Sequence, residues 1–76
     1  MPVANVLVET LPGKARCVAD LIGGVRGMEL LVVESDHRVV AAWSVPDGQQ
    51  PEPESLSEVL RAMIPEILEV GLIDRS

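Results

Sequence analysis

The chain has 76 residues, and its twelve acidic against six basic side chains give a formal net charge of −6. A chain this short builds one small core, so we expect a single domain over residues 1–76 and exclude a multidomain enzyme. Trp43 is the only aromatic residue, so the stacking platforms of RNA-binding proteins are missing, and the acidic charge disfavours phosphate backbones and anionic lipids. No nucleic acid partner is expected, and a cationic partner is favoured.

The single cysteine, Cys17, cannot form an internal disulfide. The opening residues MPVANVLVETLPGK do not show a basic segment followed by an apolar one, and no apolar run approaches the roughly 20 residues that a membrane-spanning helix requires. These features favour a cytoplasmic location with a reduced thiol and no membrane insertion.

The first part of the chain reads as a strand followed by a helix. Residues 3–9 are β-branched and aliphatic, which predicts a strand that ends before Pro12-Gly13. From Lys14 to about Val25 the apolar residues recur at helical spacing, which predicts an amphipathic helix. Its predicted buried residues are Ala15, Val18, Ala19 and Ile22. Gly23-Gly24 is expected to supply a positive-φ stop, followed by a turn at Arg26-Gly27.

Two strands, a loop, a second helix and a last strand follow. The segments MELLVVES and RVVAAWSV are strand-like, and Asp36-His37 between them predicts a hairpin turn. Residues 46–54 carry three prolines and no apolar side chain, which predicts an exposed loop. Ser55 is the expected N-cap of a helix that Pro65 ends, with a buried stripe of Leu56, Val59, Leu60 and Met63. The closing ILEVGLI predicts a half-buried strand.

The order βαββαβ predicts an α+β fold, the ferredoxin-like sandwich, with a four-stranded antiparallel sheet and both helices on one face. The expected strand order is four, one, three, two, so the second and fourth strands form the edges. The other sheet face then has no cover within the chain. The predicted core consists of Val6, Val8, Val18, Ile22, Leu30, Val32, Leu60, Val70 and Leu72.

Strand alternation predicts which side chains lie on the uncovered face. We expect Leu68, Val70 and Leu72 of the last strand, and Val39, Ala41 and Trp43 of the third, to face the helices. The predicted peptide-binding residues on the uncovered face are Leu7, Glu9, Glu29, Leu31, Val33, Val40, Ala42, Glu69 and Gly71. No Lys or Arg is expected there. An apolar patch bordered by carboxylates suits a peptide with an apolar stretch and adjacent arginines. A homodimer through the same face is the alternative.

The titratable residues do not suggest an enzyme. His37 lies at the predicted hairpin turn, where a solvated residue is more common than a catalytic base. Cys17 is expected to be a buried or half-buried, inert thiol. The glycine pairs lack the lysine or the spacing of a phosphate-binding loop, and the carboxylates lack convergent metal-ligand spacing. We therefore predict no catalytic residues, no metal and no cofactor.

Three strings together cover nearly the whole chain and resemble one family. They are NVLVETLPGKARCVADLIGGVRGMEL, the hairpin strand RVVAAWSV and the closing ILEVGLI. In this pattern the chain resembles the NapD family of small cytoplasmic chaperones of periplasmic nitrate reductase. The resemblance implies a ferredoxin-like fold and binding of the twin-arginine signal peptide on the catalytic subunit. It also implies that export of this molybdoenzyme precursor is delayed until its cofactor is inserted.

Other classes of function fit the same fold. A small-molecule-binding regulatory module is one alternative, although such modules are normally attached to an effector domain. A dimeric structural subunit is another. A small enzyme of the dimeric barrel type would need polar groups converging inside the dimer, and only three outward glutamates are expected.

Overall fold

The computed structural model describes residues 3–45 and 53–73. Its elements are β1 (Val3–Thr10), α1 (Ala15–Ile22), β2 (Met28–Ser35), β3 (Arg38–Ser44), α2 (Pro53–Met63) and β4 (Ile67–Leu72). The strands form one antiparallel sheet in the order β2-β3-β1-β4. The predicted ferredoxin-like fold and the two edge strands are confirmed. The predicted loop at 46–54 lies outside the described residues, except for its last two, which belong to α2.

The core lies between one face of the sheet and both helices. On the central strands β1 and β3, Val6, Val8, Val39 and Ala41 are fully buried, whereas the residues between them are only half-buried. The buried residues of both helices belong to the same cluster as these four side chains. Both helices therefore cover one face, and the alternation along β1 and β3 was predicted correctly.

Three residues predicted in the core are exposed instead. Leu30 and Leu72 face the helices, since they pair with Ala41 and Val6, but they lie on the edge strands beyond the cover of the helices and are 37% and 44% exposed. Val32 is 50% exposed for a different reason. A register shift between Leu30 and Val32 interrupts the alternation of β2, so Val32 pairs with Val40 on the uncovered face.

A similar bulge in β4 explains the position of Leu68. Thr10 pairs with Ile67 but Glu9 pairs with Glu69, so Leu68 is an extra residue at this register shift. Ile67 and Val70 are both buried although three positions separate them. Leu68 is 51% exposed, and its predicted place facing the helices was wrong.

The end of α1 differs from the prediction. The helix ends at Ile22, and Gly23 has a right-handed φ of −60°, so the predicted positive-φ stop at Gly23-Gly24 was wrong. The left-handed residue is Gly27, with φ of 85°, directly before β2. The Ser44 N–H donates to the Gly27 carbonyl at 2.8 Å, which fixes this turn to the end of β3. The four predicted buried residues of α1 are all buried.

We expect Gly27→Ala to lower the free energy of unfolding by about 1–2 kcal/mol, because an L side chain is strained in the left-handed region. Gly24→Ala is the matched control. Gly24 has no positive φ, and an added Cβ would lie 3.6 Å from the Leu21 carbonyl oxygen, an ordinary contact. Its stability should stay equal or rise slightly. Urea denaturation compares the two variants, and equal midpoints would contradict the role of Gly27.

The hairpin turn at Asp36-His37 is confirmed, and it also closes the start of α1. The Asp36 carbonyl accepts the N–H groups of Gly13 at 2.9 Å and Ala15 at 3.1 Å. The N-cap residue Lys14 makes no side-chain capping bond. The hairpin backbone instead provides a hydrogen-bond acceptor for the start of the helix. The His37 carbonyl accepts the Thr10 N–H at 2.9 Å. The hairpin is thereby tied to the corner between β1 and α1.

The start of α2 was predicted three residues too late, because an N-cap at Ser55 would make Leu56 the first helical residue. The helix begins at Pro53, so Ser55 lies within the first turn and is not the N-cap. Proline suits the first turn of a helix because its φ is already helical and its missing N–H has no partner to lose there. The helix ends at Met63, ahead of Pro65 as predicted.

The buried stripe of α2 is narrower than predicted. Leu56 and Leu60 are buried, and Ile64, just after the helix, continues their i, i+4 row. Val59 and Met63 are 54% and 57% exposed, so their predicted burial was wrong. Each precedes a buried residue and is therefore rotated by about 100° away from the contact with the sheet.

Candidate functional site

The open face, meaning the sheet face opposite the helices, carries an apolar row that crosses all four strands. In register, Gly71 of β4 pairs with Leu7 of β1, Leu7 with Val40 of β3, and Val40 with Val32 of β2. Neighbouring strands are about 4.8 Å apart, so this apolar row is about 14 Å long. Such a row offers side chains for a short apolar segment to cover.

A polar row lies next to the apolar row. Glu69 pairs with Glu9, Glu9 with Arg38, and Arg38 with Ser35, again across all four strands. The Arg38 Nε lies 3.6 Å from the Glu9 Oε2. The expectation of no basic residue on this face was therefore wrong. Arg38 stands two residues before Val40 in the same strand, so strict alternation along β3 would have placed it here.

A third row borders the apolar row on its other side. Asn5 pairs with Ala42, and Ala42 pairs with Glu29, which is exposed. The Ile73 N–H donates to the Asn5 carbonyl at 2.9 Å and extends the pairing beyond β4. Across the three rows, three carboxylates oppose one guanidinium, so the open face is acidic at both borders of the apolar row.

Most of the predicted binding residues lie in these rows. The structure brings together Leu7, Glu9, Glu29, Val40, Ala42, Glu69 and Gly71. Leu31 is the extra residue at the first register shift of β2 and is 49% exposed. Val33 was wrongly placed, because the shift turns it to the helix side, where it pairs with Val39 and packs against the core. Val32 takes the position on the open face that was predicted for Val33.

Gly71 leaves a gap at the β4 end of the apolar row. An added Cβ at this position would have no heavy atom within 4 Å, and the backbone has no positive φ. The glycine is therefore not required by the packing or by the backbone of the sheet. Its effect is to leave open space beside Leu7, where another chain can approach closely.

The polar row places two residues of like charge opposite each other. Glu9 and Glu69 are directly opposite each other on β1 and β4, and side chains in such pairs have Cβ atoms about 4.5–5.5 Å apart. Arg38 offsets this repulsion from the β3 side only. A cation placed over Glu9 and Glu69 would be attracted by both carboxylates.

The reactive side chains elsewhere do not converge. His37 is exposed at its turn as predicted, with its Nδ1 2.9 Å from the Asp36 Oδ1. Cys17 is exposed, which corrects its predicted burial; it lies on the outer side of α1, next to buried Val18. Within residues 3–45 and 53–73, no three His, Cys, Asp or Glu side chains are grouped to hold a metal ion. No helix in these ranges has the length and apolarity to cross a membrane.

Two depressions lie near the helices. One has a volume of about 460 Å³ at the start of α1, lined by Gly13, Ala15, Arg16, Val33, Ser35 and Asp36. The other has a volume of about 350 Å³ between α2 and β4, lined by Glu54, Ser57, Glu58, Arg61, Val70 and Gly71. Both mix charged and polar side chains with few apolar ones, whereas small-molecule sites are mostly apolar. The open face instead presents an apolar row that crosses all four strands.

Comparison of the chain with protein-family models, curated proteins and solved structures gives no match. The resemblance to the NapD family stays a prediction. The geometry of the open face, together with the sequence patterns that accompany it, is what points to a function.

Proposed function

We propose that the open face binds a short peptide segment that combines apolar side chains with adjacent arginines. The client is the twin-arginine signal peptide of an exported molybdoenzyme precursor, as the resemblance to the NapD family implies. In this proposal the chain is a cytoplasmic chaperone that delays export until the cofactor is inserted, and binding is its whole activity. The observation that carries the proposal is the apolar row bordered by Glu9 and Glu69 on one side and by Glu29 on the other.

The apolar side chains and the carboxylates of the open face contribute differently to binding in this proposal. Covering apolar surface contributes roughly 25 cal/mol per Å², so the apolar row supplies most of the affinity. Exposed ion pairs contribute only about 0.2–1 kcal/mol each. Glu29 and Glu69 are exposed and Glu9 is half-buried, so these carboxylates mainly select a basic sequence.

Charge favours a cationic peptide over a second copy of the chain. Two open faces placed together would oppose their carboxylates, because each face has more acidic than basic side chains. A peptide with arginines would instead neutralise these carboxylates. The face-to-face homodimer is therefore the less favoured occupant of the same surface.

Calorimetric titration with two peptides tests the proposal. One peptide has an apolar stretch and two adjacent arginines, and the other has glutamine at both arginine positions. We expect tighter binding of the arginine peptide, and we expect this advantage to shrink as salt is raised because exposed charges are screened. Equal affinity for both peptides would contradict the proposal. A dimer in sedimentation experiments that is insensitive to the arginine peptide would favour the homodimer.

A charge-reversed variant completes this experiment. Glu9→Lys/Glu69→Lys should weaken binding of the arginine peptide about three- to tenfold and remove the preference over the glutamine peptide. Asp20→Lys/Glu58→Lys is the matched control, since both residues are exposed on the helices and the change in net charge is the same. The control should keep most of the preference. An equal loss in both variants would show an effect of net charge alone.

A further inference from the structure

Within the described sheet, Glu9 is the only carboxylate of the open face that lies on a central strand. It lies on the central strand β1, two residues from Leu7 on the same face, and it is half-buried. Glu69 and Glu29 lie on the edge strands β4 and β2 and are exposed. A peptide that covers Leu7 and Val40 therefore passes beside Glu9, where one of its arginines can reach this carboxylate.

The position beside Glu9 is already occupied by a guanidinium of the chain itself. The Arg38 Nε lies 3.6 Å from the Glu9 Oε2, which is an ion-pair distance but longer than a hydrogen bond. The two side chains are 46% and 37% exposed. Pairs of this kind are weak and are readily exchanged for another cation.

We propose that Arg38 is a built-in competitor for the arginine of the bound peptide, and that it sets how strongly the open face prefers a basic sequence. The inference rests on the proposed function. Before binding, Arg38 offsets the repulsion between Glu9 and Glu69. A peptide arginine that reaches Glu9 displaces the Arg38 guanidinium. The net gain in binding free energy is therefore reduced by the loss of the existing Glu9–Arg38 pair.

The edge carboxylate Glu69 has a different position. It shares the polar row with Glu9, and in the described sheet no strand lies beyond β4 to bring a further cross-strand partner. A peptide arginine that binds Glu69 therefore does not compete with Arg38. Removing Arg38 makes Glu9 equally accessible, and both carboxylates can then bind the peptide.

The experiment compares Arg38→Gln with Arg16→Gln. The first removes the guanidinium at Glu9, and the second removes an exposed arginine from α1 on the opposite side of the sheet, with the same change in net charge. The probes are the arginine peptide and the glutamine peptide described above. We expect Arg38→Gln to bind the arginine peptide about two- to fivefold more tightly than wild type, the range that an exposed ion pair supplies. Its affinity for the glutamine peptide, and both affinities of Arg16→Gln, should stay close to wild type.

A second measurement distinguishes competition from a merely structural role. Glu9→Gln should weaken arginine-peptide binding more strongly in the Arg38→Gln background than in wild type, because only there is Glu9 free to bind the peptide. Equal or weaker binding by Arg38→Gln, or equal effects of Glu9→Gln in both backgrounds, would overturn the inference while the wild-type preference for arginine supports the proposed function. Loss of that preference in wild type would overturn both.

Discussion

Leu60→Ala should lower the free energy of unfolding by about 2–5 kcal/mol. Leu60 is fully buried, with 0% exposure, and lies at the centre of the buried row of α2. Truncation removes buried methyl groups and leaves a cavity that the surrounding aliphatic core fills only partly. The stability of a whole domain of this size is about 4–11 kcal/mol, so this loss is a large share of the total.

Leu68→Ala is the matched control for Leu60→Ala. The residue type is the same, but Leu68 lies at the bulge of β4 and is 51% exposed. Its replacement should change the stability by no more than about 0.5 kcal/mol. Urea denaturation followed by Trp43 fluorescence measures both variants. If the two midpoints fall by the same amount, the assignment of Leu60 to the core and Leu68 to the surface is wrong.

The element order could be predicted because each segment has one dominant pattern. Along β1, Val6 and Val8 alternate with Leu7 and Glu9, and the acidic residue fixes which side faces water. The pattern of α1 is nearly as clear, because its apolar residues except Leu21 occupy one face and its charged residues the other. In such segments local preference and tertiary packing agree, so the sequence alone predicts the orientation of the side chains.

The register shifts could not be predicted. In β2 the run from Leu30 to Val33 is apolar at every position. Alternation therefore does not show which of these side chains face the helices and which face the open side. The bulge that exchanges Val32 and Val33 depends on how β2 pairs with β3, which is a tertiary property. In β4 the alternation of Leu68, Val70 and Leu72 was regular but misleading, since the bulge and the edge position expose two of the three.

The same bulges bear on how a partner can bind. Edge strands expose unpaired backbone groups that attract further strands, and bulges are one of the devices that prevent this. The edge strand β2 has two register shifts and also carries Glu29 and Glu34. Only four residues of the other edge strand, β4, continue regularly after its bulge. The edges are thus poorly suited to strand addition, while the apolar row and the polar row of the open face continue across all four strands.

Gly71→Gln should weaken binding of the arginine peptide at least tenfold and leave the fold intact. The added side chain meets no heavy atom of the protein within 4 Å at its Cβ, and the backbone needs no positive φ, so the sheet accepts it without strain. In the complex the same side chain would fill the gap beside Leu7 and put a neutral polar group into the apolar row. Close approach of the peptide backbone is then blocked and part of the apolar contact is lost.

Leu72→Gln is the matched control for Gly71→Gln, because Leu72 is the next residue of β4 but pairs with Val6 on the helix side and is 44% exposed. It introduces the same side chain on the opposite face of the same strand, so it should bind the peptide like wild type and lose only a little stability. Calorimetric titration and urea denaturation of both variants separate binding from folding. Wild-type affinity in Gly71→Gln would show that the peptide does not cover the β4 end of the apolar row. Equal loss of affinity in both variants would point to a disturbed strand β4 and remove the support that Gly71 gives to binding on the open face.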